Sequence, residues 1–118
     1  MPRILIVEDD PDLRFLYQAA LSQDGFDIIE APNATVAKAE LEAGTYDLML
    51  LDLNMPDAHG TEVIDFARQF ETHDRMAIVV ITANDHWLGD VYNRGIEHIL
   101  VKPVSMGEVL NLVNHLLE

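Results

Sequence analysis

The chain has 118 residues, which is about the size of one domain. Its formal charge is −14, from 21 acidic and 7 basic side chains, and this charge disfavours direct binding to the phosphates of nucleic acids. The acidic surface either suits a basic protein partner or only maintains solubility. There is no cysteine, which excludes disulfides, thiolate catalysis and cysteine-based metal sites.

The sequence also argues against a membrane protein. Its longest apolar run covers residues 76–81, far short of the roughly 20 residues that a membrane-spanning helix needs. The first predicted strand starts at residue 3 and leaves no room for a signal peptide. We therefore expect a cytoplasmic protein that does not contact the membrane.

Five short segments, four of which contain apolar runs, predict β-strands at residues 3–7, 26–30, 47–51, 77–81 and 98–101. Most are rich in branched aliphatic residues, and helical patterns separate them, which is typical of buried parallel strands with crossover helices. The expected fold class is α/β, a doubly wound parallel sheet with right-handed crossovers and helices on both faces.

Capping signals mark the first two helices. Asp10 is a candidate N-cap of the first helix, with Pro11 in its first turn and Gly25 after its end. Three apolar residues of this helix recur at helical spacing: Leu13, Leu16 and Ala20. Asn33 can cap a second helix that ends near Gly44, with an apolar stripe of Val36, Ala37, Leu41 and, less centrally, Ala39.

Three more helices follow. The third is expected over residues 60–70, and its buried side is predicted to be Val63, Ile64, Ala67 and Phe70. A short fourth helix is expected over residues 85–94, before Gly95. Ser105 and Glu108 form a capping-box pattern at the start of the last helix.

Polar side chains suited to phosphate chemistry follow four of the predicted strands. They are Glu8, Asp9 and Asp10 after the first strand, Asp52 after the third, Thr82 after the fourth and Lys102 after the fifth. Taken singly, each has an ordinary explanation as a solvated turn, a helix cap or an exposed lysine. In a parallel sheet, however, ligands bind outside the carboxyl ends of the strands, so these groups are expected to meet. Carboxylates that share one cleft repel one another, so either their proton affinities rise or a cation neutralises them. Oxygen ligands without His or Cys favour Mg²⁺ as that cation.

Proline follows the lysine directly, at position 103. An X-Pro bond adopts the cis form at modest cost, and a cis bond here could direct the amine across the pocket. The sequence alone slightly favours a trans turn that opens the last helix.

The chain resembles the CheY-like receiver domains of two-component response regulators over essentially its full length. The matching residues are Glu8-Asp9 after Val7, the stretch LDLNMP at residues 51–56 with Gly60, Thr82-Ala83, and Lys102-Pro103. The resemblance implies a single receiver domain over residues 1–118. It also implies a flavodoxin-like (βα)5 fold with strand order 2-1-3-4-5.

The resemblance further implies a role for each residue at the strand ends. Asp52 is the expected phosphoacceptor, which takes a phosphoryl group from a sensor histidine kinase or a phosphotransfer protein. Asp9, Asp52 and the backbone carbonyl of Asn54 are expected to bind Mg²⁺, with Glu8 acting through water. Thr82 is expected to hydrogen-bond the phosphoryl group and Lys102 to pair with it. Such a domain is a phosphoacceptor that assists its own chemistry and not an enzyme in the ordinary sense.

Two amides occupy the positions where the family varies the lifetime of the phosphorylated state. They are Asn54, two residues after Asp52, and Asn84, two residues after Thr82. An amide does not accept a proton at neutral pH, so neither residue can act as a general base. We expect slow to moderate self-dephosphorylation.

The chain departs from the family at Ile99, where a switch aromatic is common three residues before the lysine. The usual threonine–aromatic coupling is therefore not expected. The short fourth helix carries four large apolar or aromatic residues, too many for one buried stripe: Trp87, Leu88, Val91 and Tyr92. Half of them can be ordinary packing, and the others suggest a surface on helix 4, strand 5 and helix 5 for an effector or a homodimer, with Trp87 and Tyr92 as aromatic anchors.

Five histidines are scattered without metal-ligand spacing, and we expect them in surface or loop positions: His59, His73, His86, His98 and His115.

Two other functions compete with the phosphorylated switch. A phosphatase of the haloacid dehalogenase type also uses a strand-end aspartate and Mg²⁺, but it needs a second aspartate where this chain has Asn54, and its nucleophile follows the first strand. A receiver-like adaptor that binds partners without phosphorylation is the other alternative. The sequence leaves open whether the domain stands alone or belongs to a longer regulator.

Overall fold

The computed structural model describes residues 1–55, 59–83 and 88–118. Its strands are β1 (Arg3–Val7), β2 (Asp27–Ala31), β3 (Leu48–Asp52), β4 (Ala77–Thr82) and β5 (His98–Val101). Its helices are α1 (Pro11–Gln23), α2 (Ala34–Ala43), α3 (Gly60–Ala67), α4 (Leu88–Asn93) and α5 (Met106–Leu117), with a 3₁₀ turn at Glu71–His73. None of the helices in these ranges is long and apolar enough to cross a membrane.

All five strands are parallel, and their order in the sheet is 2-1-3-4-5, as predicted. The order reverses beside β1, because the chain leaves β1 for one edge and returns to pair β3 on its other side. The carboxyl ends of β1 and β3 therefore lie next to each other. This is the position where parallel α/β sheets form their ligand sites.

The central strands are buried on both faces, and the sheet separates two hydrophobic cores. Leu5 and Val7 point into the core beneath α2, α3 and α4. Ile4 and Ile6 point into the opposite core beneath α1 and α5. Alternation along a strand thus supplies both layers, which confirms the prediction of helices on both faces.

The predicted helix starts are confirmed by capping bonds. The Asp10 side chain accepts hydrogen bonds from the amides of Asp12 and Leu13, and the Asn33 side chain accepts one from the amide of Val36. Ser105 and Glu108 form the reciprocal capping box at α5. These bonds satisfy amides that have no partner within their own helix.

Several element boundaries differ from the prediction by one residue. Strand β2 is shifted to Asp27–Ala31 and β3 to Leu48–Asp52, and β4 extends to Thr82. The reason is backbone pairing: Ala31 lies opposite Val7, and Asp52 lies opposite Ile81. Helix α3 ends at Ala67, so Phe70 lies after it, half-buried. The predicted start of the fourth helix, residue 85, falls outside the described residues.

Two side chains lie in environments that the sequence pattern did not indicate. Leu16 is 53% exposed, because the buried side of α1 is centred on Tyr17 and Leu21. His73 is buried and not at the surface. Its Nε2 lies 2.6 Å from the carbonyl oxygen of Leu41, which links the turn after α3 to α2.

Candidate functional site

The structure brings Asp52 and Lys102 into direct contact. The Lys102 ammonium donates a hydrogen bond to Oδ2 of Asp52 over 2.9 Å, and it lies 3.6 Å from Oε1 of Glu8. Asp52 and Lys102 are 50 residues apart in the chain. They meet because Asp52 ends β3 and Lys102 directly follows β5, with β4 between these two strands.

Glu8, Asp9 and Asp52 form an acidic cluster around the carboxyl ends of β1 and β3. Each offers a carboxylate oxygen within 4.8 Å of the other two. Glu8 and Asp52 are buried, whereas Asp9 is exposed, so the cluster reaches solvent on the Asp9 side.

The donor set of this cluster fits a hard divalent cation. Both carboxylate oxygens of Glu8 are buried without a hydrogen-bond partner among the described residues. A buried carboxylate without such partners is costly unless a cation compensates it. Lys102 supplies one positive charge against three neighbouring carboxylates, which leaves room for a second cation.

Burial and crowding shift the proton affinities at the site. Burial, together with the neighbouring Asp52 carboxylate, raises the pKa of Glu8 from 4.5 to about 8, although the charge of Lys102 acts in the opposite direction. Burial by itself lowers the pKa of Lys102, but the hydrogen bond and charge of Asp52 and the charge of Glu8 outweigh it, so this pKa is raised. The lysine therefore stays protonated beside the acids.

One backbone amide and one side chain fix the orientation of the Asp52 carboxylate. Its Oδ1 accepts a hydrogen bond from the amide of Asn54 over 2.9 Å, while Lys102 holds Oδ2. The amide of Leu53 donates to the carbonyl of Ile81. The carboxylate is thus held at both oxygens at the end of a paired strand.

Thr82 is fully buried at the carboxyl end of β4. Its carbonyl accepts a hydrogen bond from the amide of Lys102 over 2.8 Å, which continues the β4–β5 pairing to the lysine. The Lys102–Pro103 bond is cis, so the slight preference for trans from the sequence was wrong.

Gly60 holds the start of α3 against the end of β3. Its amide donates to the carbonyl of Leu53 over 2.9 Å. A Cβ at this position would lie 2.7 Å from the Cα of Leu53 and 3.0 Å from the carbonyl oxygen of Asp52. Any side chain here would therefore push the backbone that carries Asp52.

Replacing Gly60 by alanine is expected to lower the free energy of unfolding by about 2 kcal/mol, because rigid backbone must move to accept the methyl group. Gly107→Ala on α5 is a matched control, since its Cβ would meet only the Ser105 hydroxyl at 3.8 Å. The control is expected to be neutral or to gain up to about 1 kcal/mol in helix propensity. Urea denaturation of both variants measures the difference, and equal stability would contradict the close approach at Gly60.

Two residues near the site were missed by sequence reasoning. Arg14 on α1 donates from Nη1 to the carbonyl oxygen of Glu8 over 2.9 Å, and its Nε lies 3.4 Å from Oε1 of Glu30. Tyr17 is buried on α1; its burial and the charge of Glu8 raise the pKa of its phenol to about 12. A basic residue in so acidic a chain was the available signal for Arg14. Tyr17 carries no comparable signal in the sequence.

Four of the remaining predicted residues lie on β5 and α4. Ile99 is half-buried and packs against the core beneath α2, α3 and α4. On α4, Val91 is buried, Leu88 is half-buried and Tyr92 is 59% exposed. Asn54 is exposed and lies beside Asp52. Asn84 and Trp87 lie outside the described residues.

Comparison with known proteins agrees with this fold. The family model of the response regulator receiver domain matches residues 4–114. The chain is 35% identical over 117 residues to the transcriptional regulatory protein ResD of Bacillus subtilis, covering 98% of this chain and 48% of that protein. It is 40% identical over 108 residues to the transcriptional regulatory protein CitT of Bacillus subtilis, covering 89% and 47%. The chain thus spans about half the length of these curated relatives.

A solved structure shows the same likeness in three dimensions. The response regulator TrrA of Thermotoga maritima, in complex with Mg²⁺-BeF, superposes with a TM-score of 0.85 at 32% identity, covering 98% of this chain and 99% of that one. A five-stranded parallel sheet of order 2-1-3-4-5, with an acidic cluster beside a lysine at its carboxyl edge, defines a class of protein. The chain belongs to the response regulator receiver domain family of two-component systems.

Proposed function

We propose that residues 1–118 form one receiver domain that accepts a phosphoryl group on Asp52 and changes its partner binding as a result. The observation that carries the proposal is the direct contact of Asp52 with Lys102 inside the acidic cluster. A carboxylate attacks phosphorus poorly, because the incoming phosphoryl group brings further negative charge to an acidic site. A fixed ammonium beside Asp52 reduces that repulsion.

The proposed metal ligands are Asp9, Asp52 and the backbone carbonyl of Asn54, with Glu8 acting through water. The orphaned oxygens of Glu8 and the exposure of Asp9 support a cation that enters from the solvent side. Bound Mg²⁺ would neutralise charge on the phosphoryl oxygens during transfer. The Mg²⁺-BeF complex of TrrA supports the choice of metal.

Lys102 and Thr82 are proposed to bind the phosphoryl group. We expect the Lys102 ammonium to turn partly from Asp52 to an oxygen of the incoming phosphoryl group. Its positive charge then lies where negative charge develops during the transfer. Thr82, at the adjacent strand end, is to donate its hydroxyl hydrogen to another of these oxygens. The hydrogen bond from the Lys102 amide to the Thr82 carbonyl holds the two residues side by side.

Incubation with acetyl phosphate and Mg²⁺, followed by mass measurement, tests this function. We expect a mass gain of one phosphoryl group that is absent in Asp52→Asn and abolished by a chelator. Continuous release of phosphate without a lasting gain would instead support a phosphatase. No gain and no release would support an adaptor that binds partners without phosphorylation.

Asn54 and Asn84 are proposed to tune the lifetime of the phosphorylated state, because they flank the expected path of the attacking water. Since neither amide can act as a base, we expect slow to moderate self-dephosphorylation in the wild type and a changed decay rate in Asn54→Ala and Asn84→Ala. The decay of the mass gain after removal of acetyl phosphate measures this. Unchanged decay in both variants would contradict the role.

The exposed residue Tyr92 on α4, together with Trp87, which lies outside the described residues, is proposed to anchor an effector or a second copy that binds through α4, β5 and α5. Replacing both aromatic residues by alanine is expected to weaken self-association or effector binding by about tenfold or more, as large aromatic anchors do, while acetyl phosphate still modifies Asp52. Self-association of the phosphorylated protein is measured by analytical ultracentrifugation, and binding of an effector is measured by titration. Equal loss of binding and of phosphorylation would contradict the assignment.

The expected phosphodonor is a sensor histidine kinase or a phosphotransfer protein in the cytoplasm. The acidic charge and the absence of a basic patch in the sequence pattern disfavour direct binding to nucleic acid.

A further inference from the structure

Arg14 joins the end of β2 to the loop that carries the proposed metal ligands. Its Nη1 donates to the carbonyl oxygen of Glu8 over 2.9 Å, and its Nε lies 3.4 Å from the Glu30 carboxylate on β2. The Arg14 side chain is only 20% exposed. The guanidinium is therefore held at two points, and a planar fork held in this way has little freedom to reorient.

The bond to Glu8 fixes the direction of Asp9. The carbonyl of Glu8 and the amide of Asp9 belong to one planar peptide group. The amide of Glu8 is also bound, since it donates to the carbonyl of Ala31 over 3.1 Å. With the peptide groups on both sides of Glu8 held, the path of the backbone into Asp9 is set. From this backbone position Asp9 offers a carboxylate oxygen within 4.8 Å of the other two acids.

The positive charge of Arg14 has an effect on cation binding opposite to that of its positioning of the Glu8–Asp9 backbone. A positive group close to a cation site repels the cation, so by electrostatics alone the removal of Arg14 should tighten binding of Mg²⁺. By positioning, its removal should weaken binding, as loss of the outer partners of metal ligands usually does. Electrostatic repulsion and positioning therefore predict opposite changes in the affinity for Mg²⁺ when Arg14 is replaced.

We propose that Arg14 is a positioning residue of the phosphorylation site, which favours binding of the divalent cation by holding the Glu8–Asp9 peptide against β2. This inference rests on the proposed function, because it concerns the same cation. Arg14 touches neither the cation nor the phosphoryl group in this proposal. It acts through the backbone of Glu8.

Titration calorimetry with Mg²⁺ tests the inference on the wild type, Arg14→Gln and Arg14→Lys. We expect about tenfold weaker binding in Arg14→Gln. Arg14→Lys should also bind more weakly, because it retains the charge but loses the planar fork. Arg75→Gln is the matched control. It removes the same charge from an exposed residue just before β4, at the amino-terminal ends of the strands and not at the carboxyl ends that carry the site. The control should bind as the wild type does.

A second measurement separates positioning from general loss of structure. The unfolding midpoint of each variant is measured in a chelator, and phosphorylation by acetyl phosphate is followed over a range of Mg²⁺ concentrations. Positioning predicts that the half-saturating Mg²⁺ concentration rises about tenfold while the maximal rate stays near that of the wild type. Equal or tighter Mg²⁺ binding in Arg14→Gln, or wild-type binding in Arg14→Lys, would overturn the inference. If the wild type itself binds no Mg²⁺, the proposed function fails together with the inference.

Discussion

Replacing Lys102 by methionine is expected to slow phosphorylation of Asp52 about 100-fold, the usual cost of removing one fixed charge-stabilising donor from a reaction site. Methionine keeps much of the length and apolar surface of the lysine stem, so the change mainly removes the ammonium that lies 2.9 Å from Asp52. The rate of mass gain with acetyl phosphate at saturating Mg²⁺ measures the effect. Lys38→Met on α2 is the matched control, because Lys38 lies over the ring of Phe66 and not in the acidic cluster.

The same substitution is expected to change stability in a metal-dependent way. Without Mg²⁺, Lys102→Met leaves the buried Asp52 carboxylate without the ammonium that contacts it, which should cost about 3 kcal/mol. With saturating Mg²⁺ the loss should be smaller, because the metal supplies the missing charge. Urea denaturation in chelator and in Mg²⁺ measures both values. An equal loss under the two conditions would show that the ammonium and the metal do not share one set of acids.

The second large effect concerns the dependence of stability on pH. The pKa of Glu8 is about 8 in the folded protein against 4.5 as the ordinary value. A raised pKa in the folded state means that the folded protein binds this proton more tightly than the unfolded chain does. The stability that this proton contributes is fully present below about pH 4.5 and is lost as the pH rises through about 8. Between pH 5 and pH 7, the free energy of unfolding without metal should fall by roughly 2 kcal/mol on this account.

Glu8→Gln isolates this contribution. Glutamine has nearly the same shape and no proton to lose, so the variant should lose less stability than the wild type as the pH rises from 5 to 8. The other charged side chains affect both proteins almost equally. Parallel stability curves for the two proteins in chelator would refute the assignment of the raised pKa to Glu8. Mg²⁺ should flatten the wild-type curve, since a bound cation favours the ionised carboxylate.

The sequence by itself predicted the five strands and the five α-helices in their order, but not the 3₁₀ turn at Glu71–His73. Short apolar runs remove their side chains from water only in a buried strand or helix. The capping signals at Asp10, Asn33 and Ser105 marked the residues where α1, α2 and α5 begin. The polar groups at the strand ends also follow from the order of residues, because parallel strands place all their carboxyl ends at one edge. Strand order 2-1-3-4-5 came from the family resemblance and is confirmed.

The strand boundaries depended on partners that local sequence does not contain. Asp52 belongs to β3 because its backbone lies opposite Ile81, which is far away in the chain. Its carboxylate is therefore the last group of a paired strand and not the first of a loop. Leu16 shows the same limit for helices, because helical spacing predicts a stripe but does not say which side of the stripe meets the sheet.

Only the tertiary structure decided the distances and charges on which the chemistry depends. Burial turned Glu8 from an acid in a turn into a group with a pKa of about 8, and it placed Lys102 between two carboxylates. The bond from Arg14 to the carbonyl of Glu8 likewise requires α1 to pack beside β1 and β2. Such effects depend on which groups exclude water from one another, and residues distant in the chain become neighbours only when the sheet has formed.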